Sequence, residues 1–333
     1  MRVFVAGGSG AIGRRLVPQL VARGHEVFAS TTRAEKIPAL RTLGAEALVM
    51  DGLDEASVGE AVARAEPEVI VHQMTALAGV GDLKHFDEVF ALTNELRTKG
   101  TDNLLAAGET AGVRRFVAQS YTGWPNAREG GPVKAEADPL DPAPPKNQSR
   151  TLEAIRRLEL TVLNAPLEGI VLRYGSLYGP GASDELVELV RRRKLPIVGD
   201  GRGVWSWVHV DDAASATVAA IERGRRGKLN IVDDEPAPVA EWLPYLARAL
   251  GAKPPRRVPA GLARLVVGEV GVSMMTRIRG SSNEKAKREL GWTPRWIWRE
   301  GFRHGLSEPD APAEPVDESL QGLSLGHASS GRA

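Results

Sequence analysis

Short apolar runs alternate with longer stretches of helical period through residues 1–120. The runs at 2–6, 26–30, 47–50, 69–72 and 116–119 predict strands, and the segments at 12–23, 33–43, 55–65 and 90–111 predict helices, the last as one long helix. Repeated strand-helix-strand units imply a parallel sheet covered by helices on both faces, because parallel neighbours require right-handed crossovers. The expected class is therefore α/β.

Residues 123–146 break this rhythm with Trp124-Pro125, Gly130-Gly131-Pro132 and three further prolyl pairs. They are expected to form a loop or flap over the carboxyl edge of the sheet. Helical period returns at 151–165, followed by a strand at 169–174 and a turn-like stretch at 175–181. Beyond it the pattern predicts helices at 185–193, 212–223 and 239–250, with strands at 205–209 and 228–232. Residues 307–333 are rich in Ser, Gly, Pro and acids and are expected to be a mobile tail.

Composition narrows the function classes. The 333 residues carry 43 Lys and Arg against 42 Asp and Glu, a net charge of +1, so no global field recruits nucleic acid or an anionic membrane. There is no cysteine, which excludes disulfides, thiol catalysis and cysteine-ligated metals. Asp211 and Asp212 read as the start of a helix, and no metal-ligand cluster is expected. With no basic leader and no apolar run near the ~20 residues that span a bilayer, a cytoplasmic protein is expected.

The first strand empties into Gly7, Gly10 and Gly13. The first glycine permits a sharp turn, the second lets backbone approach a pyrophosphate, and the third allows the next helix to pack closely. Gly7, Gly10, Ala11, Ile12 and Gly13 are thus expected to hold a dinucleotide at a helix start. The second strand ends in Ser30-Thr31-Thr32-Arg33, hydroxyls and a guanidinium where an acid would select NAD, so Thr32 and Arg33 favour NADP, with NAD as the alternative. Asp51 and Gly52 follow the third strand and are expected at the adenine; His72, Gln73 and Asn94 are expected along the cleft.

These motifs resemble the extended short-chain dehydrogenases/reductases, in particular the NAD-dependent epimerase/dehydratase branch. Besides the glycines, the resemblance rests on 69–72, Asn94 with Gly100-Thr101-Asp102-Asn103, 115–120, 172–175, Tyr178-Gly179-Pro180, 207–212 and 287–292. It implies a Rossmann-like sheet, with residues 1–174 mainly dinucleotide-binding and 175–306 mainly a small substrate-side lobe that partly returns to the sheet. The family uses a Ser or Thr, a Tyr, and a Lys four residues after the Tyr for coupled proton and hydride transfer. Ser120 matches the first. Pro145 and Ser149 stand where Tyr and Lys are expected, and no Tyr occurs from 123 to 172. Tyr121, Tyr174, Tyr178, Lys146 or a bound water are the alternative proton donors, Tyr121 being preferred, and Lys146 or Arg150 the alternative cations.

In nucleotide-sugar relatives an Arg follows a Gly-Asp-Gly; here Gly199-Asp200-Gly201 leads instead to Trp205. Trp124, Tyr178 and Trp205 are expected to line an apolar substrate pocket. The expectation is an NADP-dependent reductase or dehydrogenase of a small, non-nucleotide organic carbonyl or alcohol, with Ser120 holding the reacting oxygen. A nucleotide-sugar epimerase/dehydratase-like enzyme and a non-catalytic dinucleotide-binding protein are the alternatives. The 90–111 helix is compatible with a homodimer.

Overall fold

The computed structural model describes residues 1–77 and 82–306. Seven strands form one parallel sheet: β1 (Arg2–Ala6), β2 (Glu26–Thr31), β3 (Glu46–Val49), β4 (Val69–His72), β5 (Arg115–Tyr121), β6 (Glu168–Tyr174) and β7 (Gly227–Ile231). Their order is β7-β6-β5-β4-β1-β2-β3. The chain runs outward from β1 through β2 to β3, then crosses back to β4 and continues outward on the other side. The reversal opens a crevice above the carboxyl ends of β1 and β4, where open α/β sheets bind ligands.

Alternation along β1 explains why both faces are covered. Val3 and Val5 enter one core with Leu16, Leu20 and Val71, while Phe4 and Ala6 enter the other with Val58, Val62 and Leu104. Each large apolar side chain buried in this way contributes about 1.5–3 kcal/mol of transfer free energy. A third core, after residue 175, gathers Tyr178, Trp207, Trp242, Trp298 and Phe302. A fourth joins Phe86, Phe90, Trp124, Leu152, Ile155 and Met274 beside the carboxyl edge.

Three predicted elements differ from the structure. The expected single helix at 90–111 is two α-helical pieces, Ala91–Glu95 and Thr101–Thr110, joined by a π-helical turn at Leu96–Gly100. The expected strand at 205–209 is two short strands, Val204–Trp205 and Trp207–His209, pairing with Ala237–Pro238 and Ser176–Tyr178 respectively. They part at Ser206, whose carbonyl accepts from the Ser176 amide and whose Oγ accepts from the Ser281 amide. The 175–181 stretch, expected as a turn, therefore contributes the strand Ser176–Tyr178. The expected tail lies outside the described residues.

Candidate active site

The glycine loop is built by close approach. Gly7 has φ +88°, and a Cβ there would lie 2.9 Å from the Gln73 carbonyl, so the turn and the end of β4 can meet only at glycine. A Cβ on Gly13 would lie 2.4 Å from the Gly8 carbonyl oxygen, which fixes how closely the helix Gly13–Ala22 abuts the loop. Ile12 is buried beneath the loop, whereas Gly10 presents exposed backbone and Ala11 is half-buried. Gln73 keeps its buried Oε1 without a partner at this edge. These features fit a dinucleotide: bare backbone at a helix start for phosphate and an unpaired acceptor in the crevice.

Hydroxyls surround the loop at the end of β2. Ser30 Oγ accepts from the Gly7 amide at 3.3 Å, and Thr31 Oγ1 lies 3.0 Å from Ser9 Oγ and accepts from the Arg33 amide at 3.3 Å. Thr32 and Arg33 are exposed. Asp51 is exposed and its Oδ1 accepts from the Leu53 amide. Gly52 is buried against Met74, and its carbonyl accepts from Asn103 Nδ2 at 3.1 Å.

Ser120 and Tyr121 diverge. Ser120, expected to hold a reacting oxygen, is 2% exposed and its Oγ donates to Glu159 Oε1 at 2.8 Å. Glu159, on the helix Ser149–Asn164, is in turn gripped by Arg173 of β6 through Nε at 2.7 Å and Nη2 at 2.5 Å. The hydroxyl thus belongs to a closed Ser-Glu-Arg network under the sheet edge. Tyr121 is half-buried at the carboxyl edge, its Oη 3.0 Å from Ser176 Oγ and its ring beside Trp124. Burial pushes its phenol up; the Ser176 bond and the charge of Arg97 pull it back.

The other proton-donor expectations are placed elsewhere. Tyr174 is 1% exposed, accepts from Gln73 Nε2 at 3.1 Å and lies 2.6 Å from Thr217 Oγ1. Thr217 already donates to the Ala213 carbonyl, so Tyr174 is the donor to it, and burial pushes Tyr174 up to about 12. It is a fully engaged core phenol. Tyr178 is buried within the third core among Trp207, His209 and Phe302, away from Tyr121's cluster, and burial raises its phenol strongly. Lys146 is exposed at the start of a short 3-10 turn, and Arg150 is exposed and paired with Asp87 and Glu88.

His72 is structural in its contacts. Its Nδ1 accepts from the Met74 amide at 3.2 Å, which leaves the ring proton on Nε2 to donate to the Leu96 carbonyl at 3.2 Å. Burial pushes it down to about 4, with the charge of Arg97 acting in the same direction. Asn94 Nδ2 donates to Thr151 Oγ1 at 3.0 Å, and its Oδ1 accepts a long bond of 3.4 Å from Arg97. Of the aromatic residues expected to line the substrate pocket, Trp124 and Trp205 share the fourth core with Tyr121. Trp205 donates its indole N–H to the Met274 carbonyl at 3.0 Å and stacks on Trp207.

Arg97, in the π-helical turn, is a residue of this edge that the motifs do not reveal. It is 6% exposed, with its guanidinium close enough to Tyr121 and His72 for their charges to interact. The periodicity does carry a signal for it: Phe90, Thr93, Arg97, Thr101 and Leu104 form an inward stripe of buried positions.

A doubly wound parallel sheet with a glycine turn at its switch point defines a dinucleotide-binding α/β protein. Its family is established as well. The NAD dependent epimerase/dehydratase family model matches residues 3–232, and the chain belongs to that family. It is 46% identical over 308 residues to a 3-diazoavenalumate denitrifying reductase from a Streptomyces species, covering 91% of this chain and 99% of the relative. Among solved structures it is similar to UDP-glucose 4-epimerase from Thermotoga maritima, with a TM-score of 0.74 at 23% identity over 92% of this chain and 97% of that one. The UDP-glucose 4-epimerase of Thermus thermophilus, solved with NAD, gives a TM-score of 0.70 at 26% identity over 92% and 98%. The chain is accordingly a dinucleotide-binding enzyme of the oxidoreductase and epimerase/dehydratase type.

Proposed function

We propose that the chain is a dinucleotide-dependent reductase of a non-nucleotide aromatic substrate, with an arenediazonium or quinone-diazide type of group as the first class to test and a carbonyl as the second. What supports this reading is the proton side of the site: no Tyr occurs from 123 to 172, Pro145 and Ser149 stand where the resemblance leads one to expect Tyr and Lys, and Ser120 is held by Glu159. The 46% identical relative is named for reductive loss of nitrogen from a diazo compound, and such chemistry accounts for the missing relay. Reduced nicotinamide dinucleotide, when bound, supplies a hydride. Replacing a diazonium group by hydrogen balances with that hydride alone: the C–N bonding pair departs with dinitrogen, a C–H bond forms, and no oxygen needs a proton. Tyr121, kept protonated by burial, then serves as a hydrogen-bond donor toward substrate rather than as half of a Tyr-Lys pair.

The reading extends to the cofactor. Ser30, Thr31, Thr32 and Arg33 offer donors and no carboxylate at the end of β2, which favours the 2′-phosphate of NADP. Arg33→Ala should reduce the preference for NADPH over NADH by about tenfold, acting on NADPH alone; an unchanged ratio removes the NADP assignment.

A second reading, interconversion of a nucleotide sugar, is favoured by the likeness to the epimerases and opposed by Trp205 at the position expected for a phosphate-binding Arg. The deciding experiment gives the purified full chain NADPH or NADH with three substrate arms: an arenediazonium salt bearing an ortho hydroxyl, a panel of aryl ketones, and UDP-glucose. Oxidation of the dinucleotide with release of dinitrogen in the first arm supports the proposal. Conversion of UDP-glucose to its epimer without net oxidation supports the second reading, and turnover of ketones alone shifts the reaction to carbonyl reduction.

A further inference from the structure

Lys146 and Arg150, the expected stand-ins for the family's lysine, are exposed, while a third cation, Arg97, is buried near the carboxyl edge without a carboxylate partner among the described residues. Among the described residues Arg97 makes no ion pair. Its contacts are the long bond to Asn94 Oδ1 and the face of Phe90, 5.9 Å from the guanidinium carbon. The buried carboxylate on the same stretch of chain, Asp87, is taken up elsewhere, accepting from the amides of Arg150 and Thr151 and from Thr151 Oγ1. Glu88 and Glu95 lie at the surface. His72 faces the same turn as a neutral ring, and Tyr121 as a protonated phenol, so neither supplies a negative charge.

A cation buried without a counter-ion is among the least favourable arrangements a fold can hold. Burial pushes Arg97 down to about 10, against a smaller opposing effect of Tyr121, which still leaves it charged at neutral pH. Its backbone is also placed by an irregular feature: the π-helical turn at Leu96–Gly100, held from below by the His72 bond to the Leu96 carbonyl. Such single-turn π insertions are concentrated at functional sites because they redirect one or two side chains out of the regular helical ladder. Here the redirected side chain stands by the carboxyl ends of β4 and β5, near Tyr121 and next to the aromatic cluster of Phe86, Phe90 and Trp124. A planar fork of N–H donors beside aromatic rings matches an aromatic molecule carrying a negative oxygen.

We propose that Arg97 is the substrate's oxyanion anchor: its guanidinium receives a carboxylate or phenolate oxygen of an aromatic substrate, whose ring lies against Tyr121 and Trp124. Phenolate and carboxylate share the chemistry that Arg97 recognises, and the test separates them. The proposal deepens the reductase reading by naming the substrate's charge, yet it is tested by binding alone, so each can fail without the other.

The full chain, saturated with oxidised dinucleotide, is titrated with two matched pairs of probes: 4-methylbenzoate against 4-methylbenzamide, and 4-nitrophenolate against nitrobenzene under mildly alkaline conditions. The wild type should bind at least one anion about 10- to 100-fold more tightly than its neutral partner, the range of a charge-assisted hydrogen bond. Arg97→Gln should bring that ratio close to one without changing affinity for the neutral probes or the dinucleotide, and Arg97→Lys should restore part of it. A merely structural Arg97 would lower all affinities together. Equal binding of anion and neutral partner by the wild type, a preference that survives in Arg97→Gln, or failure of all four probes to bind overturns the proposal. A wild type that passes this test yet reduces no diazonium or ketone keeps the anchor and loses the reductase reading.

Discussion

Two arginines are buried near the same end of the sheet, and they are buried on different terms. Arg173, 2% exposed, is clasped by both oxygens of Glu159, and that carboxylate also accepts from Ser120. Arg97, 6% exposed, has an amide oxygen at 3.4 Å and an aromatic face. The first is a closed network in which charge and hydrogen bonds are satisfied within the protein; the second has no carboxylate partner among the described residues. A buried charge is therefore not by itself a sign of function. Whether the protein completes its coordination is the distinguishing observation.

The closed network should respond most strongly to substitution. Glu159→Ala leaves Arg173 buried without its counter-ion and should cost about 3–5 kcal/mol of folding stability, read from the urea midpoint at constant slope. Replacing the whole network at once, Ser120→Ala with Glu159→Leu and Arg173→Met, should recover much of that loss, because apolar side chains of similar volume remove the stranded charge. A Glu159→Ala midpoint equal to wild type would mean that Arg173 tolerates isolation, and the contrast with Arg97 would vanish.

His72 bears on the same contrast because it lies under the turn that carries Arg97. Its pKa falls from 6.5 to about 4 on folding, mainly through burial. Folding therefore favours the neutral ring: this contribution is fully present above the unfolded value and is lost as pH falls from about 6.5 toward 4, since the unfolded chain takes up the proton first. The linked loss approaches roughly 3 kcal/mol at the acid end. Stability measured from about pH 7 to pH 4 should fall more steeply for wild type than for His72→Asn, which cannot titrate. Equal slopes would show that the ring is not held neutral, and would remove with it the bond that Nδ1 accepts from the Met74 amide.

The dinucleotide side was legible in the sequence for a physical reason. A glycine turn advertises itself through residue type, because only glycine tolerates φ +88° at position 7 and the close approach at position 13, and strands β1 to β4 are marked by short apolar runs. The substrate side depends on features with weak sequence signals. A π-helical turn shifts the ladder within Leu96–Gly100 without breaking the inward stripe of buried positions, so 90–111 reads as one regular helix. The exchange of strand partners at Ser206 rests on its backbone carbonyl and one hydroxyl, which leave no periodic trace. Ser120 matched a motif by position, yet Glu159, 39 residues further on, determines where its hydroxyl points. On the proton side the sequence offered only an expectation, Pro145 and Ser149 where the resemblance leads to Tyr and Lys, and Arg97, the buried cation near that edge, comes from a different element.

The mildest substitution is the most discriminating. Arg97→Met keeps a long unbranched stem and removes an ion whose only hydrogen bond among the described residues is the 3.4 Å contact with Asn94. Relief of the guanidinium's desolvation opposes the loss of that bond and of the Phe90 face, so the urea midpoint should move by no more than the equivalent of about 1 kcal/mol in either direction. The pH slope attributed to His72 should also flatten slightly, because one cause of its lowered pKa is gone. A residue that hardly affects folding while controlling selection between an anionic and a neutral ligand is part of a binding site. A loss of several kcal/mol would instead place Arg97 with Arg173, as a group the fold needs for itself.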